Sequence, residues 1–148
     1  MGVNFEYKRI KNPVLKDKRN NLRDPACIVH NDKIYIFFTI HDLKDNSVYI
    51  GMTKTNDFIE FDYIKKISPS GYASPGNVIK WENYWVLCYQ QYKDFPHYLC
   101  FSLSDDLENW SEPIKFFNTD NTNKWNTDGR TIDPYIVKDE NCWWCFYT

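Results

Sequence analysis

Apolar residues fall along this chain in short runs of strand length, and the runs recur. Ile34-Tyr-Ile-Phe-Phe38, Tyr84-Trp-Val-Leu-Cys88 and Trp143-Trp-Cys-Phe-Tyr147 are apolar at every position. Alternate side chains of a strand point to opposite faces, so each run predicts a strand covered on both sides. A two-sheet sandwich would leave one face polar and give alternation instead. Each run follows a shorter apolar segment opened by a proline: Pro25, fifty residues later Pro75, and fifty-nine after that Pro134. With the prolines aligned, Ile28 matches Val78 and Val137, Ile34 matches Tyr84 and Trp143, Tyr35 matches Trp85 and Trp144, and Phe37 matches Leu87 and Phe146. A second signature lies between, where Tyr49 to Asp57-Phe58 and Phe61 match Tyr98 to Asp106-Leu107 and Trp110.

The pattern predicts strands near 26–30, 33–39, 48–53 and 59–67 in the first unit and near 76–80, 83–89, 97–103 and 112–117 in the second. A third unit begins at Asp133-Pro134. Residues 3–10 alternate like a further strand, and 11–22 read as a polar loop. Asn31-Asp32 and Asn56-Asp57 supply turns, and Ser102, Ser104 and Asp106 supply another by bonding nearby backbone N–H groups. A period near fifty with two apolar signatures per unit is that of a propeller blade. We therefore expect an all-β propeller in which blade one spans about 24–67, blade two about 74–117, and blade three starts at 131–148. The third strand of blade three falls beyond Thr148, so residues 1–148 read as two and a half blades at the N-terminal side of one domain.

Composition agrees with a packed core: 43% of the 148 residues are hydrophobic and 18% aromatic. The net charge of −2 comes with dispersed Lys and Arg, which lacks the basic stripe that nucleic acid requires. No apolar run approaches the ~20 residues that span a bilayer, so no membrane partner is expected. The first residues show neither a signal-peptide core nor a myristoylation site; cytoplasmic localisation is expected, with secretion left open. Cys88, Cys100, Cys142 and Cys145 fall in expected strands, where cysteine behaves as a small hydrophobe. Cys142 and Cys145 would face opposite ways on a strand, and no second pair completes a zinc site, so no metal is assigned.

If the first strand of each blade lines the axis, Asp24, Ser74 and Asp133 converge on one mouth of the channel. Like charges brought into a cleft shift each other's pKa, as acid–base chemistry near neutrality requires. A lone Asp before Pro is ordinary turn chemistry; two at equivalent positions favour function. The loops 40–47, 68–75, 90–97 and 118–132 share that mouth and contain His41, Tyr72, Gln90, Gln91, Tyr92, Trp125, Asp128 and Arg130. Aromatic faces mixed with amide and charged groups suit a carbohydrate cleft. His30 and His97 receive no role.

With Asp24-Pro25 opening blade one, Ser102-x-Ser-x-Asp-Leu-x-x-Trp110 in blade two and Thr131-Ile-Asp133-Pro-Tyr-Ile-Val-Lys-Asp-Glu opening blade three, nearly the whole chain resembles the five-bladed β-propeller glycoside hydrolases. The resemblance is nearest to family 43, the arabinanases, arabinofuranosidases and β-xylosidases. It implies inverting hydrolysis of arabinose- or xylose-containing saccharides, with Asp24 as general base and Asp133 as the residue that tunes and orients the acid. The acid itself, a glutamate from a later blade, has no counterpart here. Arg23, His41, Tyr72, Ser74, Gln91, Trp125 and Arg130 are then the expected substrate-binding residues. No cofactor is implied, and calcium in the channel is left open. Arg23-Asp24-Pro25 is also similar to a motif of the fructan-cleaving propellers, where it lies in a later blade. A propeller that binds glycan or protein without catalysis is the alternative from another class.

Overall fold

The computed structural model describes residues 7–116 and 131–148. Among these the regular elements are a 3-10 turn at Tyr7–Arg9 and the strands β1 (Asn20–His30), β2 (Lys33–Asp42), β3 (Val48–Thr55), β4 (Lys65–Lys66), β5 (Tyr72–Ala73), β6 (Val78–Trp81), β7 (Tyr84–Gln91), β8 (Tyr98–Ser104), β9 (Ile114–Lys115), β10 (Tyr135–Lys138) and β11 (Trp143–Phe146). The described chain is all-β, without an α-helix, and neighbouring strands run antiparallel. The first sheet has the order β1-β2-β3-β4; in the second, β5 and β6 both pair with β7, followed by β8 and β9; the third is β10-β11.

The runs apolar at both parities do what their pattern demands. Tyr35 and Phe37 on one face of β2 join Trp85, Leu87 and Tyr89 of β7 in the core between the first two sheets. Ile34, Ile36, Phe38 and Ile40, on the other face of β2, pack under Leu15, Leu22, Tyr49, Phe58, Phe61 and Ile64. Val86 and Cys88, on the other face of β7, meet Ile136, Trp143 and Cys145 of the third sheet. Each central strand is thus sandwiched, and the sheets stack as successive blades. Phe37 and Leu87 are wholly buried, each worth roughly 1.5–3 kcal/mol of transfer free energy.

The repeats differ from one another in register, and the first strand differs from its expected extent. Ile28 faces Tyr35 and Val137 faces Trp144, but Val78, at the equivalent position of the repeat, faces Leu87 and not Trp85. The β6–β7 turn falls between Trp81 and Tyr84, one residue later in the repeat than the β1–β2 turn between His30 and Lys33. One extra residue before a tight turn slides the partner strand by two, which keeps every side chain on its expected face. In the second difference, β1 runs through Asp24-Pro25 and begins at Asn20, because a register shift between Arg23 and Ala26 lets the ladder resume beyond the proline.

The turn after each third strand is built alike. Thr55 Oγ1 accepts from the N–H groups of Asp57 and Phe58 while Asp57 Oδ1 accepts from those of Ile59 and Glu60. Ser104 and Asp106 repeat this on Asp106, Leu107, Glu108 and Asn109. Trp110 then folds back edge-on to Phe37 of the neighbouring blade, with ring centroids 5.3 Å apart.

Other expectations change. Of the strand expected over 3–10, residues 3–6 lie outside the described residues and Tyr7–Arg9 form a 3-10 turn. Cys88 and Cys100 are buried, but Cys142 is exposed in a turn whose N–H groups at Asn141 and Cys142 are held by Asp139 Oδ1. Burial pushes the Cys88 thiol up to about 11, so at neutral pH it is a packing group rather than a nucleophile.

Candidate active site

The site is built on a backbone feature that recurs in each blade. Pro25, Pro75 and Pro134 lack the N–H that a ladder needs, and the residue before each proline adopts the same left-handed conformation: φ is 56° at Asp24, 51° at Ser74 and 53° at Asp133. Few residues other than glycine accept that region, aspartate among the more tolerant. The bulge lifts these side chains out of the sheet's alternation at the same end of each blade.

Thr39, fully buried at the end of β2, ties the first two positions together. Its Oγ1 donates to Asp24 Oδ2 at 2.9 Å and accepts the Ser74 N–H at 2.8 Å. Arg23 Nε lies 3.5 Å from the same Asp24 oxygen. Both contacts fall on Oδ2, and no protein hydrogen bond from the described residues engages Oδ1. The Asp24 side chain is 38% exposed, so its carboxylate is held on one side and open on the other.

Blade three repeats the frame. Ile132 and Thr148 exchange backbone bonds of 2.8 and 3.0 Å, as Arg23 is paired with Thr39 in blade one. The spacing of fifteen residues from Asp24 to Thr39 recurs from Asp133 to Thr148. Asp133 is exposed at the start of this blade. The inner strands of blades two and three approach closely: Asn77 Nδ2 donates to Ile136 O at 2.8 Å, and Ile136 N–H donates to Asn77 Oδ1 at 2.9 Å. A Cβ on Gly76 would fall 1.4 Å from the Pro134 carbonyl oxygen, so only glycine fits there.

The expected binding residues take different places. Arg23 flanks Asp24, and Ser74 joins it through Thr39. His41, half-buried at the end of β2, lies with Nε2 3.2 Å from Asn46 Oδ1. Gln91 is buried; its Nε2 donates to Asp94 Oδ2 at 3.2 Å, while its Oε1 has no partner among the described residues. Tyr72 packs its ring edge-on to Tyr89 at 5.7 Å in the core between blades, and burial together with a hydrogen bond to Tyr98 raises its pKa. Trp125, Asp128 and Arg130 lie outside the described residues. No group of three or more His, Cys, Asp or Glu among the described residues is arranged to hold a metal ion. Sequence reasoning missed Thr39; the shared spacing to Thr148 was the signal available.

No protein-family model matches the sequence, and no curated protein matches it. Solved structures do match the fold. The alpha-L-arabinofuranosidase from Podospora anserina, in complex with cellotriose, superposes with a TM-score of 0.72 at 18% identity, over 93% of this chain and 45% of that one. A family 117 glycoside hydrolase from the marine bacterium Zobellia galactanivorans gives a TM-score of 0.70 at 19% identity, over 93% and 50%. A thermostable family-43 glycoside hydrolase gives 0.62 at 16% identity, over 92% and 43%. The chain spans half or less of the length of these structures, and over that span it has the β-propeller fold of glycoside hydrolases.

Proposed function

We propose that this chain supplies the base-bearing part of an inverting glycoside hydrolase that acts on arabinose- or xylose-containing saccharides. The observation that carries the reading is the Asp24 carboxylate, lifted by a left-handed bulge and fixed through Oδ2 by Thr39 and Arg23. The likeness in fold to arabinofuranosidases and to a family-43 glycoside hydrolase supports the substrate class.

In this mechanism Asp24 takes a proton from water as the water oxygen attacks the anomeric carbon, and the glycosidic oxygen leaves with a proton from an acid on the opposite face. The two carboxyls of such a pair stand about 6.5–9.5 Å apart, which leaves room for the water. Thr39 and Arg23 hold the carboxylate in position as the proton arrives. Asp133 occupies the equivalent bulge and orients the acid, which no residue of this chain is assigned to provide. Arg23, Ser74, His41 and Gln91 are the proposed contacts to sugar hydroxyls. The test is the configuration of the first-formed sugar, followed by proton NMR on an aryl arabinofuranoside with the protein that carries this chain in a complete propeller. Inversion at the anomeric carbon is expected. Retention would make Asp24 a nucleophile or a bystander and end the reading.

A further inference from the structure

At the end of the β7–β8 hairpin, three aromatic side chains form a group to which the proposed water activation gives no task. Tyr92 and His97 stack with ring centroids 5.2 Å apart and 23° between planes. Phe95 meets His97 edge-on at 5.7 Å and 76°. His97 therefore contacts both other rings, and its own position is set from within the blade, since Nδ1 lies 3.3 Å from Nε2 of the buried Gln90. The two outer rings stay open: Tyr92 is 49% exposed and Phe95 70%. A scattered exposed apolar residue needs no explanation; two open rings braced against a third, Tyr92 nearly parallel to it and Phe95 steeply inclined, form a preorganised, angled face.

This face belongs to the same mouth as Asp24. The Tyr92 N–H donates to Gly71 O at 2.7 Å, and Gln90, which steadies His97, is paired with Ala73. Ala73 precedes Ser74, whose N–H is held by the threonine that holds Asp24. Gly71 is fixed at this junction: its φ is +97°, and a Cβ there would fall 2.6 Å from Lys93 Cβ.

The chemistry of the surroundings selects the occupant. One or two ring faces are far smaller than the ~800 Å² per partner of a standard protein interface. They match instead the apolar C–H face of one sugar ring, whose hydroxyls need polar partners at the edge. The exposed Asp94 provides one, its Oδ2 held in place by Nε2 of the buried Gln91. Resting on the carbohydrate reading above, we propose that Tyr92, Phe95 and His97 form a saccharide-stacking subsite on the blade-two side of the mouth. It takes one sugar unit of a neutral arabino- or xylo-oligosaccharide, beyond the unit at which Asp24 acts.

The experiment is an NMR titration of the 148-residue chain with arabinohexaose and with xylohexaose, on the wild type and on Tyr92→Leu, Phe95→Leu and Phe95→Trp. Leucine keeps apolar volume and removes the flat ring; the exposure of Phe95 makes its substitution harmless to folding, which a melting curve checks. The wild type should bind one of the two sugars, each leucine variant should weaken that binding roughly three- to tenfold, and Phe95→Trp should restore it. Binding by the wild type that both leucine variants match would overturn the subsite and leave the glycosidase reading standing. Failure of the wild type to bind either sugar would overturn both.

Discussion

Among single residues, the Thr39 hydroxyl ties the first two blades together. Thr39 Oγ1 has two partners, one in each of two blades, so Thr39→Val removes both bonds without changing the side-chain volume much. The Ser74 N–H and one Asp24 oxygen then lose their partner, and breaking such bonds costs about 1–3 kcal/mol. Chemical denaturation should show a loss of that size, restored by Thr39→Ser; a valine variant as stable as the wild type would mean that the bridge contributes nothing. The bonds were not legible in the sequence, because the one to Ser74 joins two blades and the fifteen-residue spacing shared by Asp24–Thr39 and Asp133–Thr148 marks a position without its partners. Asp24, Ser74 and Asp133 were legible, since each precedes a proline at the repeat. Tyr72 read as a loop residue, whereas its ring fills the core between blades.

At the scale of elements, the turn that follows the third strand is the most regular device in the chain. Burial opposes ionisation of Asp106, but bonds from the Asn109 backbone and side chain, the Glu108 N–H and the Ser104 hydroxyl outweigh it and hold the carboxyl down to about 2. A folded-state pKa below the unfolded value of about 3.9 gives stability that is present above that value and is lost as the pH falls through the folded one. Asp106→Ala should therefore melt below the wild type at neutral pH, with the gap closing between about pH 4 and pH 2. A gap that stays constant across this window would show that the charge is not what holds the turn. The apolar run of Tyr84–Cys88 predicts a strand covered on both faces but not its pairing, because turn position fixes pairing whereas alternation fixes only parity.

At the scale of the whole molecule, the sheets are a stack whose last member keeps one open face. Tyr135, Val137, Trp144 and Phe146 lie on the same side of β10 and β11 and are 39–60% exposed. Contiguous apolar surface of this kind binds dyes and promotes association. The 148-residue chain should enhance anilinonaphthalene sulfonate fluorescence, and Trp144→Lys with Phe146→Lys should reduce it; no enhancement by the wild type would mean that this face is covered. The stack also sets where the proposed chemistry lies, since the bulges of successive first strands are joined by Thr39 on one side and by Asn77 and Gly76 on the other.

The most direct measurement is the turnover of Asp24→Asn on an aryl arabinofuranoside or xyloside, read beside its melting temperature in the protein that carries the complete propeller. Asparagine tolerates the left-handed conformation and its Oδ1 still accepts the Thr39 hydroxyl, but it takes no proton from water. The account predicts a fall of about 10²–10⁴-fold in kcat with the melting temperature nearly unchanged. A variant that melts several degrees lower and keeps its activity would show that Asp24 is a turn residue and that the chemistry lies elsewhere.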